Sequence, residues 1–244
     1  MSRSDPPQVI PRPRTWRPGA DAPWTSVPPA QRTGIGIDRV LASLGALGQH
    51  GPVPADAGAD RALRSTVLVN EANAPLVRRV NAAVLAVLFE EKGESRLVLT
   101  RRSSAMRTHR GEVSFPGGAA EPEDVDIAAT ALREAAEEVA LDATAAGVQV
   151  VARLERFWIP VSDFEVHPVV AVAARRPELV ASPAEVARIV EPRLDRFVPG
   201  APIVIVERTI RDWPLRFGAY DIDGLTVWGA TARILSQLGA AVSA

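Results

Sequence analysis

Residues 97–141 read LVLTRRSSAMRTHRGEVSFPGGAAEPEDVDIAATALREAAEEVAL. Three kinds of chemistry follow one another in this stretch. An arginine-rich loop is expected first, with Arg101, Arg102, Arg107 and Arg110 and with Thr100, Ser103 and His109 beside them. Guanidinium forks match phosphate oxygens two at a time. A proline and two glycines follow, Pro116, Gly117 and Gly118. Glycine lets the backbone turn with positive φ and lie close to a ligand. The last part is a helix, with Asp124 or Asp126 as its N-cap. Ala128, Ala131, Leu132, Ala135 and Val139 recur at spacings of three and four and form its buried stripe.

Glu134, Glu137 and Glu138 crowd another face of that helix. Like charges at this spacing destabilise an isolated helix by a few tenths of a kcal/mol per pair, roughly. A divalent cation reverses the sign, and oxygen ligands alone favour Mg2+ or Mn2+ over zinc. Arg133 and Glu137 form an i,i+4 pair that can orient one carboxylate. Taken singly, each part has a plainer reading: a solvated basic loop, a simple turn, a charged helix face. Their adjacency points instead to a metal-assisted site for a phosphate ester.

Around this stretch the composition is that of a soluble globular chain. Of 244 residues 47% are apolar and 23% charged, and the net charge is -1. No global basic field indicates nucleic acid as a partner. The absence of cysteine excludes disulfides, thiolate metal sites and a cysteine nucleophile. It fits a reducing, cytoplasmic location. No apolar run is long enough to span a membrane, and the first residues lack the apolar stretch of a signal peptide.

Residues 1–32 are rich in proline and predict an irregular N-terminal arm, with Trp16 and Trp24 as its anchors or a disordered tail as the alternative. Residues 33–244 are expected to form one domain. Ile35 to Leu47 carries apolar residues at helical spacing, Gln49 to Asp60 reads as a loop, and Thr66 to Val69 as a short strand. Asn81 to Phe89 is a continuous apolar run, read as a buried strand. It is expected to pair with Ser95 to Thr100 through a turn at Gly93. Gly147 to Leu154 and Pro202 to Glu207 predict strands. Ser182 to Arg188 is expected to be a short helix or loop. Asp223-Gly224 predicts a hairpin turn between Leu215–Ile222 and Leu225–Trp228. Thr231 to Val242 closes the chain as an amphipathic helix. The fold class expected is α/β (or α+β), with helices packed on a mixed sheet.

The segment GGAAEPEDVDIAATALREAAEEVAL resembles the signature of the Nudix hydrolases, in which a glycine and a spacer lead to an Arg-Glu-x-x-Glu-Glu core. The preceding LTRRSSAMRTHRGEVSFPGG resembles the motif of the coenzyme A diphosphatase branch. Leu99, Thr100, Arg102, Ser103, Arg107, Gly111, Phe115, Pro116, Gly117 and Gly118 carry that likeness. Weaker echoes extend it to about Leu238. The spacer before Arg133 is one residue longer than in most of the family, which displaces the acidic residue ahead of the helix toward Asp124. Ala140 stands where glycine usually closes the helix.

The resemblance implies an α/β/α sandwich and hydrolysis of a pyrophosphate in coenzyme A or its thioesters, with Mg2+ or Mn2+. It implies Glu134, Glu137 and Glu138 as metal ligands, joined by the carbonyl of Gly118 or Gly117, with Arg133 orienting them. Arg102, Arg107, Ser103 and Gly117 would contact substrate. Glu134 or Glu185 would act as base, and a plain surface role for Glu185 stays open. Another nucleoside diphosphate derivative (ADP-ribose, NADH, a nucleotide sugar) is the alternative substrate, and a binding module without turnover the alternative class. The oligomeric state stays open, a homodimer included.

Overall fold

In the computed structural model, residues 35–48, 80–104, 111–159, 163–210 and 213–243 are described. The N-terminal arm with Trp16 and Trp24, the segments 49–60 and 66–69, and Arg107, His109 and Arg110 lie outside the described residues.

The apolar run around Asn81–Phe89 becomes strand β1 (Val80–Glu91), the centre of a six-stranded sheet. It pairs in parallel with β8 (Phe164–Ala173), from Val80 opposite Phe164 to Leu88 opposite Val172. All its other pairings are antiparallel, so the sheet is mixed. Two residues with positive φ, Lys92 and Gly93, turn β1 into β2 (Glu94–Leu97). Such a two-residue loop matches the twist of a hairpin. The sheet runs β2-β1-β8-β6, with β6 spanning Val148–Arg153. Strand β5 (Gly117–Ala119) lies beside β1, and β7 (Phe157–Ile159) beside β8.

Both faces of β1 and β8 are covered, which explains why β1 reads as an unbroken apolar run rather than an alternating one. Ala83, Leu85, Val87 and Phe89 join Val169, Ala171 and Ala173 in one core, closed by Ala131, Ala135 and Val139 of helix α2 (Ile127–Val139). Ala86, Leu88, Val170 and Val172 face the other core. That core is closed by Val40 and Leu44 of α1 (Ile37–Gly48) and by Ile234, Leu235 and Leu238 of the last helix, α4 (Gly229–Ala241). A short helix, α3 (Ala143–Ala146), follows α2. The layers are helix, mixed sheet and helix, as the α/β expectation required.

Three local expectations are corrected. The single strand expected over Ser95–Thr100 is two, because the chain changes partners at Val98. After it, β3 (Leu99–Arg102) joins β4 (Val113–Ser114) and β9 (Val186–Val190) in a second sheet. Side-chain alternation continues unbroken through the change, Leu97 and Leu99 in one core and Val98 in the other, so the pattern alone does not reveal it. Arg101 and Arg102 therefore sit on a strand, not in a loop. Ser182–Arg188 is neither a helix nor a loop throughout: a turn at residues 183–185 leads directly into β9. Helix α4 is buried on more than its apolar stripe. Ser236, Gln237 and Gly239 are enclosed too. There Gly239 meets the 3-10 turn Leu194–Phe197 so closely that a Cβ would collide with the Phe197 carbonyl.

The hairpin at Asp223-Gly224 forms as expected, joining β11 (Trp213–Ile222) to β12 (Leu225–Val227). With β10 (Val204–Ile210) they make a third small sheet. Among the described residues, no helix is long and apolar enough to cross a membrane.

Candidate active site

Helix α2 is held at both ends by specific hydrogen bonds. Asp126 is its N-cap, with Oδ1 accepting from the Ala129 amide at 2.8 Å. At the other end Ala140 takes the left-handed conformation, φ 54° and ψ 35°. The amides of Ala140 and Leu141 both donate to the Ala135 carbonyl. The next free carbonyls receive a neighbouring loop: the amide of Val180 donates to Val139 at 2.9 Å and that of Ser182 to Glu138 at 2.8 Å. These two bonds satisfy orphan carbonyls of the helix terminus. They also fix the turn that carries Glu185. Its other side is tied to the residue that follows β3, where the Ser103 amide donates to the Glu185 carbonyl at 2.7 Å.

Asp124 is not the cap. Its carboxylate is gripped by Arg133, with Nε on Oδ1 at 3.0 Å and Nη2 on Oδ2 at 3.1 Å. Oδ2 also accepts from the Glu121 amide and from Thr130 Oγ1, both at 2.9 Å. Arg133 and these hydrogen bonds hold the Asp124 carboxyl well below the usual carboxylate range. The same guanidinium donates to Glu134 Oε1 at 3.1 Å, Glu137 Oε1 at 3.2 Å and the Ala119 carbonyl at 3.0 Å. Arg133 thus orients two of the three glutamates at once, and its pKa is pushed above the ordinary value. Thr130, fully buried, is a member of this network that the sequence reading missed. The available signal was a hydroxyl at a position of α2 otherwise filled by alanine.

The glutamates differ sharply in environment. Glu137 is largely exposed and engaged by Arg133. Glu134 packs against the bare backbone of Gly118: a Cβ there would lie 2.5 to 2.6 Å from its carboxylate atoms. Burial raises the Glu134 pKa, with Arg133 opposing. Glu138 is 3% exposed, and burial pushes its carboxyl up to about 7. Arg102 opposes that shift from across the site, Nη1 lying 3.8 Å from Oε1. The charge of Glu185 raises both Glu134 and Glu138, so its exposed carboxylate borders the same pocket of negative charge. The structure brings Arg102, Arg133, Glu134, Glu138 and Glu185 together and leaves Glu137 at the rim. Ser103 reaches the site through its backbone amide.

The ladder between β5 and β1 separates the two glycines. Leu85 donates to the Pro116 carbonyl and Ala120 to that of Asn81. By the alternation of an antiparallel pair, Gly118 opposite Ala83 is also a hydrogen-bonded position, and Gly117 falls between. The polar groups of Gly118 are thus spent on β1. Those of Gly117 point away from it, and its amide contributes to holding Glu138 charged. Of the two carbonyls, that of Gly117 is the one directed away from the ladder.

The residues fit a hard divalent cation. Every donor on this face is an oxygen. Glu138 Oε2 is buried without a hydrogen-bond partner, an arrangement that costs free energy unless a cation or water completes it. Among the described residues, no three acidic or histidine side chains already converge as a closed cage. Arg133 and Arg102 instead hold the carboxylates in place.

Residues 79–194 match the model of the NUDIX domain. Nudix hydrolase 22, chloroplastic, of Arabidopsis thaliana is 39% identical over 184 residues, 70% of this chain and 59% of its own length. The uncharacterized Nudix hydrolase NudL of Photorhabdus laumondii is 37% identical over 161 residues, 65% of this chain and 82% of its own. The chain therefore spans about three fifths of the plant relative and most of the bacterial one. A solved Nudix hydrolase of M. smegmatis, RenU, aligns with TM-score 0.42 at 21% identity, covering 52% of this chain and 78% of that one.

Proposed function

The chain belongs to the Nudix hydrolase family, and on that premise we propose that it hydrolyses the pyrophosphate of coenzyme A or its thioesters. The products are 3′,5′-ADP and 4′-phosphopantetheine or its acyl form. The observation that carries this reading is the meeting of Arg102, from the strand that bears the coenzyme A-like motif, with the buried Glu138 of α2, 3.8 Å away. On this reading a phosphate-binding guanidinium and a metal-binding carboxylate meet at one place.

Glu134 and Glu138, with the carbonyl of Gly117 and assistance from Glu137, would hold Mg2+ or Mn2+. When bound, such an ion neutralises pyrophosphate charge and lowers the pKa of its water. Arg102 binds a phosphate oxygen, as does Arg107, which lies outside the described residues. Arg133 fixes the rotamers of Glu134 and Glu137. Glu185 is exposed and not clamped by Arg133, so it suits the base better than Glu134 does. It takes a proton from the attacking water as the water oxygen bonds to phosphorus and the bridging P–O bond breaks.

The test is incubation of folded protein with coenzyme A and either metal, followed by product analysis. Release of 3′,5′-ADP is expected. No release across metals and pH, with turnover of ADP-ribose, NADH or a nucleotide sugar instead, would replace coenzyme A by that substrate. No turnover of any of them would leave the binding-module reading.

A further inference from the structure

Thr130 is fully buried on the first turn of α2. Its hydroxyl has one proton to give and two acceptors within reach. The Asp126 carbonyl lies at 3.4 Å and Asp124 Oδ2 at 2.9 Å. A threonine inside a helix commonly bonds back to the carbonyl one turn earlier. Here that carbonyl already accepts the Thr130 amide at 3.1 Å. The shorter contact ends on a carboxylate, and hydrogen bonds to an ionised acceptor are the stronger ones. The proton therefore goes to Asp124, which lies ahead of the helix.

What the hydroxyl fixes is the plane of that carboxylate. A guanidinium carries its N–H donors in one rigid plane. Those of Arg133 are all engaged: Nε and Nη2 on the two oxygens of Asp124, Nη2 also on the Ala119 carbonyl, and Nη1 on Glu134 and Glu137. With no donor to spare, the guanidinium cannot turn without losing one of these bonds. Its orientation follows the carboxylate that it grips through both oxygens. The Glu121 amide holds Oδ2 of that carboxylate from the spacer side at 2.9 Å, and Thr130 holds it from the helix that bears the glutamates. Thr130, Glu134 and Glu138 succeed one another at the i,i+4 spacing, so the hydroxyl heads the face on which the glutamates lie.

We propose that Thr130 is a positioning residue for the metal-binding glutamates: its hydroxyl locks the Asp124 carboxylate, which sets the plane of Arg133 and through it the Glu134 carboxylate. This role rests on the reading of Glu134 as a metal ligand and not on which substrate is cut.

The experiment compares wild type with Thr130→Val, which keeps the shape and removes the hydroxyl, and with Thr130→Ser, which keeps the hydroxyl and removes the methyl. Substrate-free protein is titrated with Mn2+, and the Arg133 Nε–H resonance is followed by NMR. Thr130→Val is expected to bind Mn2+ roughly three- to tenfold more weakly, less than the loss of a partner that touches the ligand itself. Its Arg133 Nε–H should exchange faster with solvent. Thr130→Ser should stay near wild type in both measurements. In Thr130→Val combined with Asp124→Asn, the loss should not exceed that of Asp124→Asn alone, because the hydroxyl acts through that carboxylate. A merely structural Thr130 would show in urea unfolding and leave Mn2+ affinity and the Arg133 resonance of Thr130→Val unmoved, which overturns the positioning role. Equal losses in Thr130→Ser and Thr130→Val, or additive losses in the double variant, overturn it too. If wild type binds no Mn2+, the metal reading fails by itself, and the Arg133 resonance decides. Faster exchange in Thr130→Val but not in Thr130→Ser then supports the role, and unchanged exchange overturns it.

Discussion

Arg133 holds Asp124 through both carboxylate oxygens, at 3.0 and 3.1 Å, while its remaining donors reach Glu134 and Glu137. The acid ahead of the helix thus acts on the glutamate face of α2 through the guanidinium. Asp124→Asn keeps the shape but replaces one acceptor with a donor that faces Arg133. It is expected to lower kcat by about 10- to 100-fold, the usual effect of removing a partner behind a metal ligand. KM should change little. A metal titration should show weaker binding in the variant, a readout that a purely structural role for Asp124 would leave unmoved.

The sequence made this pair visible only in part. The Arg-Glu-x-x-Glu-Glu spacing fixed which face of α2 is charged, because helical period is a local property. The long apolar run at 81–89 marked the central strand for the same reason. The change of sheet at Val98 was hidden, since Leu97, Val98 and Leu99 are all buried and alternate as one strand would. Which aspartate caps the helix was ambiguous locally. What separates them is the guanidinium of Arg133, nine residues on, which takes both carboxylate oxygens of Asp124 and leaves Asp126 to accept the Ala129 amide. The meeting of Glu185 with Glu138 depends on loop bonds to the helix terminus, which no periodicity encodes.

The two glycines of β5 are expected to fail differently. In Gly118→Ala the new methyl meets the end of the Glu134 side chain, which can swing aside. The fold should survive while the carboxylate is displaced by an ångström or so, with a loss of roughly 100-fold in kcat/KM. In Gly117→Ala the methyl meets backbone: the Ala83 carbonyl, and Val84 Cα at 2.7 Å. Backbone in a central sheet cannot give, so destabilisation of about 1–3 kcal/mol is expected. Urea denaturation beside steady-state kinetics separates the two. Equal stability losses in both variants would contradict the assignment.

The metal-free protein should lose stability as pH rises toward and through neutrality. Burial raises the Glu138 carboxyl from its ordinary value of 4.5 to about 7, and raises Glu134 in the same direction. Between those values the folded state binds more protons than the unfolded chain, so unfolding free energy falls with increasing pH. The contribution is full below pH 4.5 and lost above pH 7, to the extent that Glu138 alone sets it. Denaturation in a chelating buffer at pH 5.5 and 8 measures this. Glu138→Gln should flatten the difference, and saturating Mn2+ should reverse it, because the bound ion favours the ionised carboxylate. A metal-free protein that is more stable at pH 8, with no change in Glu138→Gln, would exclude a raised Glu138.

Ala140 ends α2 at φ 54°, in the left-handed region that a Cβ disfavours by roughly 1–2 kcal/mol. What imposes the conformation is the pair of amides at 140 and 141 converging on the Ala135 carbonyl, followed by the docking of Val180 and Ser182 on the last carbonyls. Glycine would remove the strain, though it also loosens the unfolded chain by about 0.4–1 kcal/mol. Ala140 is exposed, so the substitution sacrifices no packing. Ala140→Gly is therefore expected to stabilise the protein by about 0.5–1 kcal/mol, the difference between those two effects. The midpoint of urea unfolding should rise with an unchanged slope. Because the bonds that hold the Glu185 turn start from Glu138 and Val139, the substitution should leave kcat within about twofold, well short of the loss that misplacing a catalytic group causes. A drop in stability would mean that the helix end is held by the alanine side chain after all, and a drop in kcat alone would mean that the strain itself positions Glu138.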